Sequence, residues 1–312
     1  MTYDLTIIGG GPGGVAAGVY ASRKKLKTLF VTESFGGQSI VSEGIENWIG
    51  TIKISGNDLA KSLEEHLRAY AADIVDIKTG QWVKGVEKNA DGTFTIHTND
   101  GMKDESFISK TVLITTGSKR RKLPAKGAEE FDNKGLTYCA TCDGPLFGGQ
   151  DVIVVGGGNA AFESAAQLAA YCKSVSIFNR SDEFRADPVT VEKVLAKDNV
   201  KAVKNVDIVE VKGDKFVNAV VYKNNTTGEQ LEHPIAAIFV EIGLLPNTGF
   251  VSNVVELDQY GKVVVDPKTQ QTKTPGIWAA GDCTDGLYHQ NNIAAGDAVK
   301  ALEDIYVHLH AR

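Results

Sequence analysis

The chain has 312 residues, 42% of them hydrophobic and 23% charged, with 33 glycines against 8 prolines. Such a composition belongs to a globular protein with room for two domains of ordinary size, rich in tight strand-to-helix turns. A formal charge of −6 excludes the basic surface that general nucleic-acid binding draws on. No apolar run is long enough to span a bilayer, and residues 1–8 read as a strand and not as a signal peptide, so a cytoplasmic protein is expected.

The apolar run Leu5 to Ile8 predicts a first strand, followed by a glycine loop, a helix over 13–24 and a second strand over 28–32. This alternation calls for a parallel sheet with crossover helices. The loop, Gly9-Gly10-Gly11-Pro12-Gly13-Gly14, fits GxGxxG directly after a strand and at the opening of a helix. Its glycines permit a tight turn and close approach of a pyrophosphate to the helix N-terminus, where unpaired N–H groups favour negative charge. Glu33, at the end of the second strand, stands where a carboxylate can accept hydrogen bonds from a ribose.

Leu59, Leu63 and Leu67 recur at helical spacing and predict a core-packing helix over 57–72 behind an Asn57/Asp58 cap. Residues 81–98 alternate apolar and polar, which predicts an antiparallel excursion from the parallel sheet. A buried strand over 111–115 then ends in Thr116-Gly117. The basic run Lys119-Arg120-Arg121-Lys122 reads as a solvated linker in preference to a docking site.

Cys139 and Cys142, two residues apart, are either a redox pair or half a metal site. Cys172 and Cys283 offer no second such spacing and the six histidines are scattered, so the redox reading is preferred and no metal is expected. Cys172 and Cys283 themselves read as small core hydrophobes. Asp143 either donates a proton to a departing thiolate or serves the turn Asp143-Gly144-Pro145; both roles are compatible.

At Asp151 the pattern begins again, with a strand over 152–155, the loop Gly156-Gly157-Gly158-Asn159-Ala160-Ala161, a helix to Tyr171 and a strand over 174–178. That strand ends in Asn179-Arg180-Ser181, with Arg185 nearby and no carboxylate at the ribose position. Arginines there welcome a 2′-phosphate and favour NADPH over NADH, unless they are surface charges. A strand over 235–240 leads into a second linker at Gly243-Leu244-Leu245-Pro246. A short strand over 276–279, the loop Ala280-Gly281-Asp282-Cys283 and a helix over 292–308 close the chain. Two dinucleotide sites and one cysteine pair form an electron route: nicotinamide delivers a hydride, a flavin accepts it, a disulfide receives the electrons.

These residues resemble the low-molecular-weight, bacterial-type thioredoxin reductases nearly end to end: Gly9 to Gly14, Gly36-Gly37-Gln38, Glu46-Asn47-Trp48, Thr116-Gly117, Cys139-Ala140-Thr141-Cys142-Asp143-Gly144, Gly156 to Ala161, and Ala279-Ala280-Gly281-Asp282. The resemblance implies an α/β fold of two Rossmann-like, three-layer dinucleotide-binding domains, the second inserted into the first: 1–117 and 246–312 for FAD, 118–245 for NAD(P)H and the cysteine pair. It implies that FAD lies along the first glycine motif, against Glu33, Gly37, Gln38, Asn47, Thr116, Gly117, Gly281 and Asp282, with His289, Gln290 and Asn291 near the flavin ring. NADPH, or NADH, would lie against Gly156, Gly158, Asn159, Ala160, Ala161, Asn179, Arg180, Arg185, Ile242 and Gly243. Cys142 would be the flavin-proximal sulfur, Cys139 the thiol that attacks the partner, and thioredoxin or a similar redoxin that partner. A homodimer is implied, as is rotation of the NADPH domain about the two linkers.

The chain departs from that family at three places. Its His-Arg-Arg-x-x-x-Arg motif appears as Asn179-Arg180-Ser181-Asp182-Glu183-Phe184-Arg185, keeping two arginines of three. Pro145-Leu146-Phe147 stands where paired aromatics grip thioredoxin. Arg-Gln-Ala near the flavin reads His289-Gln290-Asn291. Residues 142–147, 242–248 and 280–284 look more like the reductase core of the flavoprotein that serves bacterial alkyl hydroperoxide peroxidases, whose additional N-terminal thioredoxin-like domain this chain is expected to lack. The rival readings are an NADH-preferring reductase of a peroxidase-linked redoxin, a flavin-dependent NAD(P)H oxidase, and a flavin/CxxC redox sensor; a full second nucleotide site counts against the sensor.

Overall fold

The computed structural model describes residues 1–42 and 44–311. The chain divides into two compact units, Met1–Lys119 with Leu245–Arg312, and Arg120–Leu244, so the second is inserted into the first. In the first unit β1 (Thr2–Gly10), α1 (Pro12–Arg23), β2 (Thr28–Phe35), α2 (Gly56–Ala71) and β3 (Val75–Thr79) alternate, and the strands pair in parallel. The excursion follows as β4 (Trp82–Lys88), β5 (Phe94–Asn99) and β6 (Asp104–Ile114), giving the order β3-β2-β1-β6-β5-β4. β6 is long enough to serve two neighbours: it runs antiparallel to β5 over 104–109 and parallel to β1 over 108–114.

Both faces of this sheet are covered, which is why its strands read as nearly continuous apolar runs. Leu5, Ile7, Phe30 and Leu113 face a layer holding Val15 of α1 and Leu59, Leu63 and Leu67 of α2. Their neighbours Ile8, Leu29, Val31, Val112 and Ile114 face Val83, Val86, Phe94 and Ile96 of the β4–β5 hairpin. The cap of α2 is not Asn57/Asp58, both of which lie inside the first turn. Ser55 holds that position, accepting the Asp58 N–H at 3.0 Å and donating its hydroxyl to the Asp58 carboxylate at 2.6 Å, because a short hydroxyl just before the first turn reaches the orphan amide best.

The basic run lies where the chain passes from one unit to the other, with Lys119, Arg121 and Lys122 exposed as a solvated linker would be, and it is also structured. β7 (Ser118–Arg120) pairs with a later strand, Leu244–Pro246, in a two-stranded ribbon, Arg120 lies 3.6 Å from Glu241, and Lys122 lies 3.3 Å from Asp132. In the second unit β8 (Leu136–Thr137), α3 (Ala140–Asp143), β9 (Asp151–Val155), α4 (Asn159–Leu168), β10 (Ser174–Asn179), α5 (Pro188–Leu195) and β11 (Val200–Lys204) precede β12 (Val206–Gly213), β13 (Val217–Asn224), β14 (Gln230–Pro234) and β15 (Ala237–Val240). The parallel sheet has the order β11-β10-β9-β15-β8. α4 and α5 cover one face, through Phe162, Leu168 and Val194 against Val154, Ile177 and Phe239. The antiparallel ribbon β12-β13-β14 covers the other, through Val206, Ile208, Val211 and Val220 against Ile153, Phe178 and Ile238.

After β16 (Leu244–Pro246) the chain completes the first unit with β17 (Ile277–Ala279), parallel to β6, and α6 (Asn291–Ala311), one residue earlier and three later than the periodicity suggests. Cys172 and Cys283 are buried and unpaired, as small core residues. Among the described residues no helix is long and apolar enough to cross a membrane.

Candidate functional site

In the first unit the carboxyl ends of β1, β2, β6 and β17 open onto one cavity of about 780 Å³. The turn after β1 contributes Gly9, Gly11, Pro12 and Gly13; the end of β2 contributes Glu33, Gly37 and Gln38. Thr116 and Gly117 follow β6, Gly281 and Asp282 follow β17, and Asn291 opens α6. Gly14 lies behind this wall: a Cβ there would fall on the Gly9 carbonyl oxygen and 2.8 Å from Thr115 Oγ1, so only glycine lets α1 approach the strand so closely.

The residues fit a dinucleotide. Gly11 caps α1 without any side-chain bond, whereas Ser55 closes α2 and Asp187 closes α5 through the amides of Val189 and Thr190. A Cβ on Gly11 would meet no protein atom within 4 Å, so the space above the uncapped amides is open to a phosphate. Glu33 is exposed at the end of β2, where a ribose hydroxyl would reach it. Sequence reasoning missed Gln81 and Trp82, which line the same cavity from the start of β4; only the fold brings them there.

Three residues expected at the flavin, Asn47, His289 and Gln290, are not among those that line the cavity. Asn47 donates from Nδ2 to Gln290 Oε1 at 3.2 Å and accepts at its carbonyl from Asn292 at 2.7 Å, tying the 44–54 loop to the start of α6. His289 lies 3.7 Å from the Asp282 carboxylate, whose other oxygen accepts from Gln38 Nε2 at 3.4 Å.

In the second unit the glycine turn lies after β9, beside β15, where the strand order reverses. That is the usual crevice for a ligand in an open α/β sheet. α4 is again opened by a glycine, Gly158, with no side-chain cap and open space where its Cβ would lie. Asn159 and Ala160 are exposed there, while Ala161 is buried under the turn. Gly157 must lack a side chain, because a Cβ would lie against the amide group of Asn179. Asn179 is itself buried, donating from Nδ2 to the carbonyls of Ser181 at 2.8 Å and Glu183 at 3.0 Å. It braces the 180–185 loop, which is also tied to the Gly157 carbonyl by the amides of Arg185 and Ala186. Arg180 and Arg185 point outward from this loop together with Asp182 and Glu183, all exposed.

Ile242 is half-buried against the core and Gly243 is exposed, its carbonyl accepting from Arg121 N at 3.0 Å. Beside them Glu241, not singled out from sequence, accepts from Ser164 Oγ at 2.8 Å, and burial pushes its carboxyl up despite Arg120.

Cys139 and Cys142 form a disulfide with Cα atoms 5.3 Å apart. Cys139 sits at the N-cap of the single-turn helix α3, its Sγ accepting the Cys142 N–H at 3.2 Å. In the reduced pair the same N–H would favour a thiolate at Cys139. Asp143 follows in the same turn and accepts a hydrogen bond from Thr137 Oγ1; burial pushes its carboxyl up, and that bond offsets the effect only in part. A half-buried carboxyl with raised proton affinity, in the same turn as a sulfur pair, suits proton transfer to a thiolate. Among the described residues no group of His, Cys, Asp or Glu is arranged to hold a metal ion.

The chain is similar along nearly its whole length to known proteins. It is 40% identical over 299 residues to a Bacillus subtilis protein named NADH dehydrogenase, covering 96% of this chain and 57% of that protein. It is 39% identical over 308 residues to one component of the alkyl hydroperoxide reductase of Xanthomonas campestris, covering 98% of this chain and 57% of that protein. The chain thus spans a little over half the length of the curated relatives it matches. Two similar solved structures are thioredoxin reductase from Streptococcus pyogenes, with a TM-score of 0.89, 34% identity and coverage of 100% and 99%, and thioredoxin reductase from Giardia duodenalis, with 0.91, 32% and coverage of 99% and 99%. Residues 3–298 match the family described as pyridine nucleotide-disulphide oxidoreductase, and the chain belongs to that family.

Proposed function

We propose that the protein is an FAD-dependent disulfide reductase that draws electrons from NADPH and passes them through Cys139 and Cys142 to the disulfide of thioredoxin or a similar small redoxin. FAD and a nicotinamide dinucleotide are its cofactors. The carrying observation is the closed Cys139–Cys142 pair, with the Cys142 amide on Cys139 Sγ and the half-buried Asp143 in the same turn. FAD held against Gly11, Gly13, Glu33 and Asp282 would supply two-electron transfer between a hydride donor and the disulfide. Two electrons open the Cys139–Cys142 bond, and Asp143 gives its proton to the Cys142 sulfur. The Cys139 thiolate attacks one sulfur of the redoxin disulfide and expels the other as a thiolate, which takes a proton from solvent; Cys142, returning its proton to Asp143, then attacks the Cys139 sulfur of the mixed disulfide, which closes the pair again and releases the second redoxin sulfur as a thiolate that solvent protonates.

The partner surface favoured by this reading is the segment just after the pair, where Pro145 is exposed and Leu146 is 66% exposed. Apolar side chains without charge there suit the apolar rim of a small redoxin. A homodimer is the assembly the resemblance implies, and Ile49, Ile52, Leu287 and Tyr288, all strongly exposed on the first unit, support it. A thiol pair that must be kept cycling suits a reducing cytoplasm.

A second reading, NADH as donor and a peroxidase-linked redoxin as acceptor, is favoured by one observation. Asp182 and Glu183 lie between the two arginines in the 180–185 loop, and carboxylates there would repel a 2′-phosphate and accept from a free ribose. Steady-state reduction of a redoxin from the same source, with each coenzyme in turn, separates the two. A kcat/KM for NADPH at least about tenfold above that for NADH supports the first reading, and the reverse supports the second; no redoxin turnover with either overturns both.

A further inference from the structure

We propose that Lys262 and His289 act as a pair that holds the Asp282 carboxylate in place in the dinucleotide cavity, so that two side chains outside the cavity lining set flavin affinity. The proposal rests on the reading that this cavity takes FAD.

Backbone register brings the three groups together. Asp258 Oδ1 accepts from the amides of Tyr260 at 2.8 Å and Lys262 at 2.9 Å, closing a tight turn. The next residue, Val263, donates its N–H to the Cys283 carbonyl at 2.9 Å and accepts from the Asp285 amide at 3.1 Å. Lys262 is thereby fixed beside the loop that carries Asp282. Its Nζ lies 2.9 Å from His289 Nε2.

The chemistry of the donor sets the tautomer. An ammonium can only donate, so Nε2 must accept, and the ring proton resides on Nδ1. Nδ1 faces Asp282 Oδ1 at 3.7 Å, too long for a hydrogen bond but close enough for the N–H dipole to act on the carboxylate. The ring is largely buried, with 15% of its side chain exposed, and Asp282 retains 24%. Gln38 holds the other carboxylate oxygen, Oδ2, at 3.4 Å, and both Gln38 and Asp282 line the cavity. Asp282 is therefore held from two sides, one of which ends in a cation. The positive charge on this side is that of Lys262, 2.9 Å from the far nitrogen of the imidazole. His289 and Lys262 are positioning residues, and Asp282 is the group that would meet the cofactor.

The test is a titration of the flavin-stripped full chain with FAD, followed by quenching of flavin fluorescence, in wild type, Lys262→Met, His289→Ala, the double variant and His289→Gln. Each of the first two variants is expected to weaken FAD about tenfold, and the double variant no further than either, because both break one line of contact. His289→Gln, whose amide can accept from Lys262 and donate towards Asp282, is expected to restore affinity to within about threefold of wild type. Unchanged affinity in Lys262→Met, or losses that multiply in the double variant, would overturn the proposal. Lys262→Met alters only a half-buried turn and decides the matter even if His289→Ala disturbs the loop. A wild-type chain that takes up no FAD overturns the reading of the cavity itself, whereas FAD uptake with equal affinities overturns only the Lys262–His289 pair.

Discussion

Phe184 lies in the 180–185 loop of the second unit, and replacing it with alanine separates the loop's structural and coenzyme-binding roles. Its ring meets Phe162 edge-on, with centroids 4.9 Å apart and planes at 80°, and the Lys204 ammonium lies 4.7 Å from its centroid. Phe162 is fully buried on α4, so the contact joins the loop to the core. An edge-to-face pair contributes about 1 kcal/mol and an exposed cation over a ring about 0.5 kcal/mol. Loss of half-buried apolar area adds about 1 kcal/mol, so Phe184→Ala should cost the second unit about 2.5 kcal/mol. The bonds of Asn179 and of the Arg185 and Ala186 amides survive, so the loop keeps its path but loses its anchor. If Arg180 and Arg185 serve the coenzyme from this loop, its KM rises about fivefold or more while kcat stays near wild type. Urea unfolding and steady-state kinetics measure the two effects. A stability loss with an unchanged KM would refute the placement of the coenzyme on this loop, and no stability loss would refute the ring contacts.

Asp143→Asn should lower redoxin turnover about a hundredfold while leaving flavin reduction by coenzyme intact, since it removes a proton donor from the disulfide step alone. Because burial raises the Asp143 carboxyl above its ordinary value, the stability linked to it is full below the unfolded-state pKa and is lost as pH rises through the folded one. The wild type should therefore lose urea resistance relative to Asp143→Asn as pH climbs from the ordinary aspartate range, and a flat difference across pH would contradict the burial argument. Gly14→Ala should yield protein that purifies without flavin, since its Cβ meets the Gly9 carbonyl; a flavin content equal to wild type, read from the visible spectrum, would count against the fit of that turn.

Much of the architecture was legible because both sheets are covered on two faces, and such strands announce themselves as apolar runs broken by glycine turns. Leu5 to Ile8 and Val152 to Val155 are of this kind, each followed by the turn that opens an uncapped helix. The β12-β13-β14 ribbon was not legible. Bulges between Ile208 and Glu210 and between Lys212 and Gly213 break its alternation, and only one face is packed. The α2 cap was misplaced by two residues because Asn57 and Asp58 are good capping types as well, and sequence alone does not show which residue precedes the first turn.

At the sites, local motifs could be read and tertiary ones could not. Cys139, Cys142 and Asp143 occupy one turn, so spacing brings them together, and the structure adds the Thr137 hydroxyl and the Cys142 amide. Asn179 stands at the strand end where a ribose partner is sought, but its amide is spent on bracing the loop. Gln81, Trp82, Glu241 and the Lys262–His289–Asp282 line come from segments far apart in the chain, with no pattern to join them.

In the proposed function the Cys139–Cys142 disulfide is an electron store in series with the flavin. An anaerobic titration of the FAD-loaded full chain with NADPH, or with NADH if that is the better donor, tests it most directly. Wild type is expected to take up two reducing equivalents for the flavin and two more for the disulfide, whereas Cys139→Ser and Cys142→Ser should each take up only the first two and fail to reduce a redoxin. Equal uptake by wild type and both variants, or redoxin reduction by either variant, would contradict it.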